Sequence, residues 1–302
     1  MKTILVSGGT GFIGKKLVRA LLARGDRVWV LTRSGSEKKV PEGATALVWD
    51  ATSIGPWASK LNETDVVVHL AGEPVIGARW SDSQKQKIRD SRVVSTRLLV
   101  EAIRNATQRP HAFVCASAVG YYGDRDPNEV IDEESKPGTG FLADVVKAWE
   151  HEAAQAGELG IREARVRIGI VLGDGGALEK MLTPFKMFVG GPLGSGRQAM
   201  PWIHGDDMVG LLLFAIDRDE VRGPMNGTAP NPVTMREMAE ALGRVLKRPS
   251  WIPAPTFALR VVLGESADAV LTGQRVFPKV AERLGYSFKF RDIEPALRDL
   301  LT

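Results

Sequence analysis

The stretch TILVSGGTGFIG (residues 3–14) decides the fold of this chain. A β-branched apolar run leads into a glycine-rich turn, and the turn leads into a helix pattern, FIGKKLVRALLARG, that stops at Gly25. Three of its four glycines have the spacing of a dinucleotide-binding turn: Gly8 allows the tight turn, Gly11 lets the backbone approach a pyrophosphate, and Gly14 lets helix and strand pack closely. The free N–H groups at the start of the helix favour bound phosphate. The stretch therefore predicts a dinucleotide-binding βαβ unit.

The rest of the first half continues this alternation of short apolar strands and longer amphipathic helices. Buried strands are predicted at TILVSG, RVWVLTR, ATALVWD, DVVVHLAG, HAFVCAS and REARVRIGIVLG, and the longest helices at residues 81–106 and 141–160. This rhythm predicts an α/β fold, a Rossmann-type doubly wound parallel sheet with a smaller C-terminal substrate lobe. We assign residues 1–172 to the nucleotide-binding domain, with 203–229 returning to it, and 173–302 mainly to the substrate-side lobe.

The second lobe starts where the rhythm changes. Residues 174–202 are rich in Gly, Pro and Met, which predicts a less regular structure. A later helix is predicted to begin at TMREMAEALGRVL, because Thr234 and Glu237 have the spacing of a capping box. No flexible linker separates the lobes, so we expect the second to fold against the sheet.

Composition excludes several classes of protein. The 302 residues are 44% hydrophobic and 25% charged, as in ordinary globular proteins. A net charge of +4 is too mild to indicate nucleic-acid binding, and the four histidines and the single Cys115 share no metal-ligand spacing. No apolar run is long enough to span a membrane, and the run before the first glycines is too short for a secretory signal. We expect a cytoplasmic protein with a small-molecule substrate, no metal, and neither nucleic acid nor membrane as partner.

The segment VLTRSGSEKK (residues 30–39) predicts which coenzyme is bound. NAD-dependent enzymes usually carry an acidic residue here for the ribose 2′-OH, whereas this chain has Thr32, Arg33 and Ser34. An arginine can form a fork with a 2′-phosphate and stack on adenine, so the prediction is NADP(H). The alternative is that Arg33 is a solvated loop charge. Asp50 either accepts a hydrogen bond from the adenine amine or simply forms a turn.

The fourth strand ends in His69, Leu70, Ala71 and Gly72, where small residues let the backbone run beside the cofactor ribose. His69 is expected to pack beneath this turn rather than to act in catalysis, because it stands in an apolar run.

Several segments together resemble a known family. The glycine spacing, HLAG, SRVVSTRLLVEAI, FVCASAVGYYG, WIHGDDM and NGTAPNPVTMREMAEAL are similar to the extended short-chain dehydrogenase/reductases of the sugar-nucleotide epimerase type, over essentially the whole chain. The closing part, residues 261–290, resembles the atypical "epimerase family protein" subgroup, YfcH-type and sometimes labelled SulA-like.

This resemblance implies a Ser–Tyr–Lys site with a supporting Asn, in which the tyrosine passes a proton while a nicotinamide passes a hydride. Matching the strand end puts Ala118 at the Ser position, with Ser117 one residue before it, and Arg92 at the Asn position. Arg92 either contacts the cofactor or a substrate anion, or forms a salt bridge with a nearby acid.

The tyrosine is absent from the middle helix in either of two alignments. Counting from Ala118 places Ala143 at the Tyr position and Lys147 at the Lys position. Counting back from Glu150 instead gives Leu142 and Val146.

Other residues could replace the missing phenol. The candidate catalytic residues are Tyr122, Lys147 and Ser117, with Tyr121 beside them; the alternative for Tyr122 is a packing residue. His204 and Asp206 form a second cluster, unless Asp206 or Asp207 caps the next helix and His204 is structural.

Two hypotheses follow. One is an NADP(H)-dependent oxidoreductase or epimerase with a non-standard proton donor and an unknown substrate. The other is a catalytically silent protein that senses NADP(H) and regulates a partner. The predicted cofactor-binding residues are Gly8, Thr10, Gly11, Phe12, Ile13, Gly14, Thr32, Arg33, Ser34, Asp50, His69, Leu70, Ala71, Gly72 and Arg92.

Overall fold

A computed structural model describes residues 1–302, and its centre is a seven-stranded parallel sheet. The sheet strands are β1 Thr3–Ser7, β2 Arg27–Thr32, β3 Thr45–Val48, β4 Val66–His69, β5 Ala112–Ala118, β7 Arg162–Ile168 and β11 Gly223–Gly227. Their spatial order is β11-β7-β5-β4-β1-β2-β3, so the chain order reverses between β1 and β4. The carboxyl ends of these two strands therefore border the crevice in which open α/β sheets bind ligands.

Helices cover both faces of the sheet. The helices are α1 Phe12–Ala23, α2 Asp82–Asn105, α3 Phe141–Ala154, α4 Gly176–Lys186, α5 Gly205–Asp217, α6 Met235–Leu246, α7 Thr256–Leu263, α8 Asp268–Leu271, α9 Lys279–Arg283 and α10 Ile293–Leu301. One face packs against α1 and α5, through residues such as Leu17 and Leu211. The other packs against α2 and α3, through residues such as Leu99 and Trp149. The predicted doubly wound fold is confirmed.

One predicted strand is divided in two. The run 162–173 breaks at Gly169 into β7 and the short β8 Ile170–Gly173. A Cβ at Gly169 would lie 2.2 Å from the Pro201 carbonyl oxygen, so the two backbones touch at this point. β8 leaves the main sheet and pairs with β10 Trp202–His204 instead.

The remaining short strands form two separate two-stranded sheets. They are β6 Val130–Ile131, β9 Ala199–Met200, β12 Val233–Thr234 and β13 Arg275–Val276, paired as β13 with β6 and β12 with β9. The predicted capping box at the start of α6 is confirmed, since the Thr234 and Glu237 side chains each bond the other's backbone N–H. None of the ten helices combines the length and apolar character needed to cross a lipid bilayer.

The last segment of the chain is held against the sheet by the start of α5. The Asp207 carboxylate accepts hydrogen bonds of 2.8 Å from the backbone N–H groups of Lys289 and Phe290. The neighbouring Asp206 forms an ion pair with the Lys289 ammonium at 2.9 Å. α10 then packs on α6 in a core that includes Leu242 and Leu297. The HGDD motif contains His204 and Asp206, the second cluster of the sequence analysis. Its two aspartates bind the C-terminal segment at Lys289 and Phe290.

Candidate functional site

The turn after β1 is built so that no side chain fills it. Gly8 has φ +71°, and a Cβ there would lie 2.6 Å from the backbone carbon of Leu70. A Cβ at Gly14 would lie 2.1 Å from the Gly8 carbonyl oxygen. The first turn of α1 therefore touches the β1 turn, and that turn touches the end of β4, as the glycine spacing predicts.

The start of α1 presents unbonded donors to this turn. Gly11 is the N-cap residue and supplies no side-chain cap, and the first turn contains no acidic residue. The N–H groups of Phe12, Ile13 and Gly14 donate to no protein acceptor. Together with the helix dipole they form a site for an anion, and the absence of Cβ atoms lets a pyrophosphate reach the backbone. Thr10 lies in the same turn. These residues fit a dinucleotide.

The end of β2 carries a free positive charge. Thr32 is buried, whereas Arg33 and Ser34 are exposed, and no carboxylate lies within 4.0 Å of the Arg33 guanidinium. This arrangement suits a 2′-phosphate. Asp50, after β3, bonds the N–H groups of Thr52 and Ser53 at 2.8 and 3.1 Å, and these bonds hold its pKa below the usual range. Asp50 is therefore a turn-forming residue, although its exposed carboxylate still faces solvent.

His69 is a buried structural residue at the end of β4. Its Nδ1 pairs with the Ser7 hydroxyl, and its Nε2 lies 3.1 Å from Ser95 Oγ. Because Ser95 donates its hydroxyl proton to the Ser91 carbonyl at 2.7 Å, His69 Nε2 is the donor to Ser95 and Nδ1 accepts from Ser7. Burial lowers the His69 pKa to about 3, so the ring is neutral. The sequence predicts His69 as a cofactor-binding residue. Its side chain is fully enclosed and does not reach a cofactor, so the prediction is corrected for the side chain.

Arg92 lies across the end of β4, on the side of Gly72. A Cβ at Gly72 would be 3.1 Å from Arg92 Cζ, so the guanidinium packs closely against the Gly72 backbone. Arg92 Nη1 donates to the Ile88 carbonyl at 3.0 Å, and the group sits 5.4 Å from the Trp149 ring. No carboxylate lies within 4.0 Å of it, so the salt-bridge alternative is wrong. Burial lowers the Arg92 pKa to about 10, which leaves it charged at neutral pH.

The structure decides between the two alignments of the middle helix. A Cβ at Gly120, just after β5, would lie 3.6 Å from Leu142 Cβ and 3.9 Å from Val146 Cγ2. Glu150, one turn further along the same face, bonds Ser117 in β5. The face of α3 that meets the strand end therefore carries Leu142 and Val146, in agreement with the count from Glu150.

Lys147 is on another face of that helix. Its ammonium pairs with Asp144 at 2.7 Å, and its side chain is 39% exposed. Ala143 is fully enclosed. Successive residues on a helix are about 100° apart, so Lys147 is turned away from the strand end that Val146 faces. The prediction of Lys147 as a catalytic residue is therefore corrected.

Tyr122 and Ser117 belong to a buried polar network. Tyr122 donates its phenol proton to Asn226 Oδ1 at 2.8 Å and accepts from Arg167 Nη1 at 2.9 Å. Ser117 donates to Glu150, which forms a two-point ion pair with Arg167. Burial raises the Tyr122 pKa to about 12. The structure thus makes both residues part of the packing, which corrects their prediction as catalytic groups.

Glu150 entered the sequence analysis only to align the middle helix, and Arg167 and Asn226 were missed. A signal was present, since Glu163, Arg165 and Arg167 alternate with apolar residues inside a central strand. Charged residues rarely enter such a strand without partners.

His204 is the N-cap residue of α5. Its Nδ1 accepts from the Asp206 N–H at 3.1 Å, and its ring lies 4.0 Å from that of Phe290. The imidazole proton is therefore on Nε2, which is 3.3 Å from Asp299. His204, Asp206 and Asp299 offer ligand atoms within 4.8 Å of one another, but metal binding through Nε2 would move the proton to Nδ1, which already accepts from the Asp206 N–H. The capping function belongs to His204, not to the aspartates that follow it.

A cavity between the loop after β5 and the second lobe contains no residue of the glycine-rich turn, residues 8–14. It measures about 760 Å³ and is lined by the loop after β5 and by the segments around β9 and β12. Four arginines border it, Arg125, Arg197, Arg236 and Arg275, together with the acids Asp124, Asp126 and Glu237.

Comparison with known proteins identifies relatives over the whole chain. Residues 4–226 match the model of the NAD dependent epimerase/dehydratase family, and residues 254–300 match a domain of unknown function, DUF1731. The chain is 45% identical to an Arabidopsis thaliana protein called "Epimerase family protein SDR39U1 homolog, chloroplastic", over 99% of this chain and 86% of that protein. It is 36% identical to Bacillus subtilis "Epimerase family protein YfhF", over 99% and 97% of the two chains.

One solved relative was crystallised with a coenzyme. The human epimerase family protein SDR39U1 (isoform 2) with NADPH superimposes with a TM-score of 0.88 at 36% identity, covering 99% of this chain and 98% of the human one.

Proposed function

The chain belongs to the NAD dependent epimerase/dehydratase family, and from that premise we propose that it is an NADP(H)-dependent oxidoreductase or epimerase acting on a small-molecule substrate. The observation that carries the proposal is the cradle between β1 and α1, with its unbonded N–H groups and the exposed Arg33 at the end of β2. The human relative crystallised with NADPH supports the choice of coenzyme.

The residues that would hold the coenzyme form two groups. The N–H groups of Phe12, Ile13 and Gly14 bind the pyrophosphate, and the Arg33 guanidinium binds the 2′-phosphate. The backbone of Leu70 to Gly72 borders the nicotinamide side. When bound, the nicotinamide supplies or accepts a hydride.

Proton transfer is the unusual part of this site. The α3 face next to the strand end carries Leu142 and Val146, and the nearby Tyr122 phenol is engaged by two partners. Because Tyr122 is engaged and Lys147 pairs with Asp144, neither serves as the usual Tyr–Lys donor, and we propose that water exchanges the proton with the substrate oxygen. The absence of a positioned acid removes a factor of about 10² to 10⁴ in rate, so we expect slow turnover.

A second function follows from the same apolar face. If turnover is absent, the protein senses the NADP(H) ratio and regulates a partner. This function predicts that NADP⁺ and NADPH produce different conformations, which hydrogen exchange measures. The cytoplasmic location and the YfcH-type, SulA-like subgroup also stay predictions.

The test has two stages. Calorimetry with NADPH, NADP⁺ and NADH establishes binding, and NADPH oxidation with a panel of small carbonyl compounds then establishes turnover. We expect NADPH to bind more tightly than NADH and at least one carbonyl compound to be reduced. Binding of neither coenzyme would overturn the whole proposal. If the coenzyme binds without turnover, and if NADP⁺ and NADPH give different hydrogen-exchange patterns, the sensor function is supported instead.

A further inference from the structure

The guanidinium of Arg92 has no carboxylate within 4.0 Å, and Glu73, beyond that distance, is the acid that favours its charged form. Only its Nη1 bonds to the protein, at 3.0 Å from the Ile88 carbonyl and 3.4 Å from Ser91 Oγ. Arg97, five residues further along α2, shows the ordinary alternative, because it pairs with Glu152 at 2.6 Å. Burial of this charge is costly, the Trp149 ring and the Glu73 charge offset part of the cost, and a bound anion would offset more of it.

Gly72 packs on the flat face of the Arg92 guanidinium at the end of β4. The place that a Gly72 Cβ would occupy is 3.1 Å from Cζ, 3.2 Å from Nη2 and 3.4 Å from Nε, so the glycine covers the face and not the in-plane N–H bonds of Nε and Nη2. Neither has a protein acceptor, and neither is among the fully buried side-chain atoms that lack one, so both remain open to solvent. They are at the edge where β4 lies beside β1, which is the ligand crevice of this sheet type.

The geometry also selects the shape of the anion. With Nη1 bonded to Ile88, the guanidinium keeps Nε–H and one Nη2–H as a parallel pair of donors. This pair matches the two oxygens of a carboxylate. A lysine ammonium, although charged, cannot reproduce that fork.

We propose that Arg92 binds the carboxylate of the substrate through Nε and Nη2, so that the substrate is a small carbonyl compound with an acid group. This inference rests on the proposed function and names the substrate class of the same crevice. It also changes the assignment of Arg92 from the cofactor to the substrate.

The experiment titrates the NADP⁺-saturated protein and the free protein with oxalate, with its neutral analogue oxamide, and with inorganic phosphate, by calorimetry. Wild type should bind oxalate and not oxamide. Arg92→Gln and Arg92→Lys should each weaken oxalate about ten- to hundredfold and leave NADPH affinity within about twofold. Arg97→Gln is the matched control on the same helix and should change neither affinity.

Different failures separate this inference from the proposed function. If wild type does not bind NADPH, the proposed function is wrong, whether or not oxalate binds. Normal NADPH binding with no oxalate binding, or with oxalate binding that survives in Arg92→Gln, overturns the inference alone. Parallel loss of NADPH and oxalate in the Arg92 variants returns Arg92 to the cofactor. A stronger, Arg92-dependent response to phosphate overturns the carboxylate assignment. Arg92→Lys keeps the charge, so it provides the answer if Arg92→Gln does not fold.

Discussion

Arg167 meets Glu150 as a two-point ion pair in the protein interior, with Nε–Oε1 at 2.7 Å and Nη2–Oε2 at 2.8 Å. The pair joins β7 to α3, and both side chains are almost fully enclosed. Ser117 donates to the carboxylate, and Tyr122 accepts from the guanidinium. Ser117 and Tyr122, which the sequence analysis gave as candidate catalytic residues, therefore each form a hydrogen bond with a member of this ion pair.

Removing one member of the pair should strongly destabilise the fold. Arg167→Met leaves a buried carboxylate without its main partner, so we expect a loss of about 3–5 kcal/mol in the free energy of unfolding, measured in urea. The control is Arg298→Met, which breaks the exposed pair with Glu294 and should cost less than about 1 kcal/mol. Equal losses in the two variants would contradict the importance of the buried pair.

Tyr122→Phe should change stability and leave coenzyme binding unaltered. The phenol donates to Asn226 and accepts from Arg167, so its removal leaves a buried Asn226 oxygen without that donor. We expect a loss of about 1–3 kcal/mol in the free energy of unfolding and unchanged NADPH affinity by calorimetry. A variant with full stability and abolished turnover would restore Tyr122 as the proton donor.

The cradle could be predicted from sequence because it is local. A strand, the glycines at positions 8, 11 and 14, and a helix lie within residues 3–25, and their spacing alone brings the backbones together. The partners of Tyr122 could not be predicted in this way. Arg167 and Asn226 are 45 and 104 residues further along the chain, and only the pairing of β7 with β5 and β11 brings them to it.

The alignment of α3 was undecided for a different reason. Counting from Ala118 and counting from Glu150 differ by one residue, which is about 100° of rotation around a helix. Local spacing does not fix that rotation. It is set by which side chains meet Gly120 and Ser117, and these contacts select Leu142, Val146 and Glu150.

Gly14→Ala should weaken coenzyme binding. The added Cβ would lie 2.1 Å from the Gly8 carbonyl oxygen, so the turn after β1 must shift. We expect NADPH affinity to fall by at least about tenfold and the free energy of unfolding to fall by about 1–3 kcal/mol. Gly157→Ala is the control, because nothing lies within 4 Å of its added Cβ. Normal NADPH binding by Gly14→Ala would show that the cradle is not the site.

Arg33→Ala should discriminate between the two coenzymes. The exposed guanidinium is free to pair with the 2′-phosphate, which only NADPH carries. Loss of charge-assisted hydrogen bonds should weaken NADPH about ten- to hundredfold and leave NADH nearly unchanged, as measured by calorimetry. An equal loss for both coenzymes would mean that Arg33 contacts the adenine, which both carry. No loss for either would mean that Arg33 is outside the site.

Acid should destabilise the protein partly through His69. The pKa of His69 is about 3 in the folded protein and ordinarily 6.5. Between pH 6.5 and pH 3 the unfolded chain therefore binds a proton that the folded protein does not. Stability is therefore complete above 6.5 and falls as the pH drops towards 3, by about 2 kcal/mol at pH 5 and about 5 kcal/mol over the whole window.

His69→Gln isolates this contribution, because glutamine offers hydrogen bonds to Ser7 and Ser95 but does not titrate. We expect the variant to lose less of its unfolding free energy than wild type between about pH 8 and about pH 5, by about 2 kcal/mol in urea titrations. His204, whose pKa burial also lowers, is present in both proteins and cancels in the comparison. Identical pH profiles for the two proteins would mean that His69 is protonated in the folded state, which would break its hydrogen bond from Ser7 and undo the tautomer assigned to it.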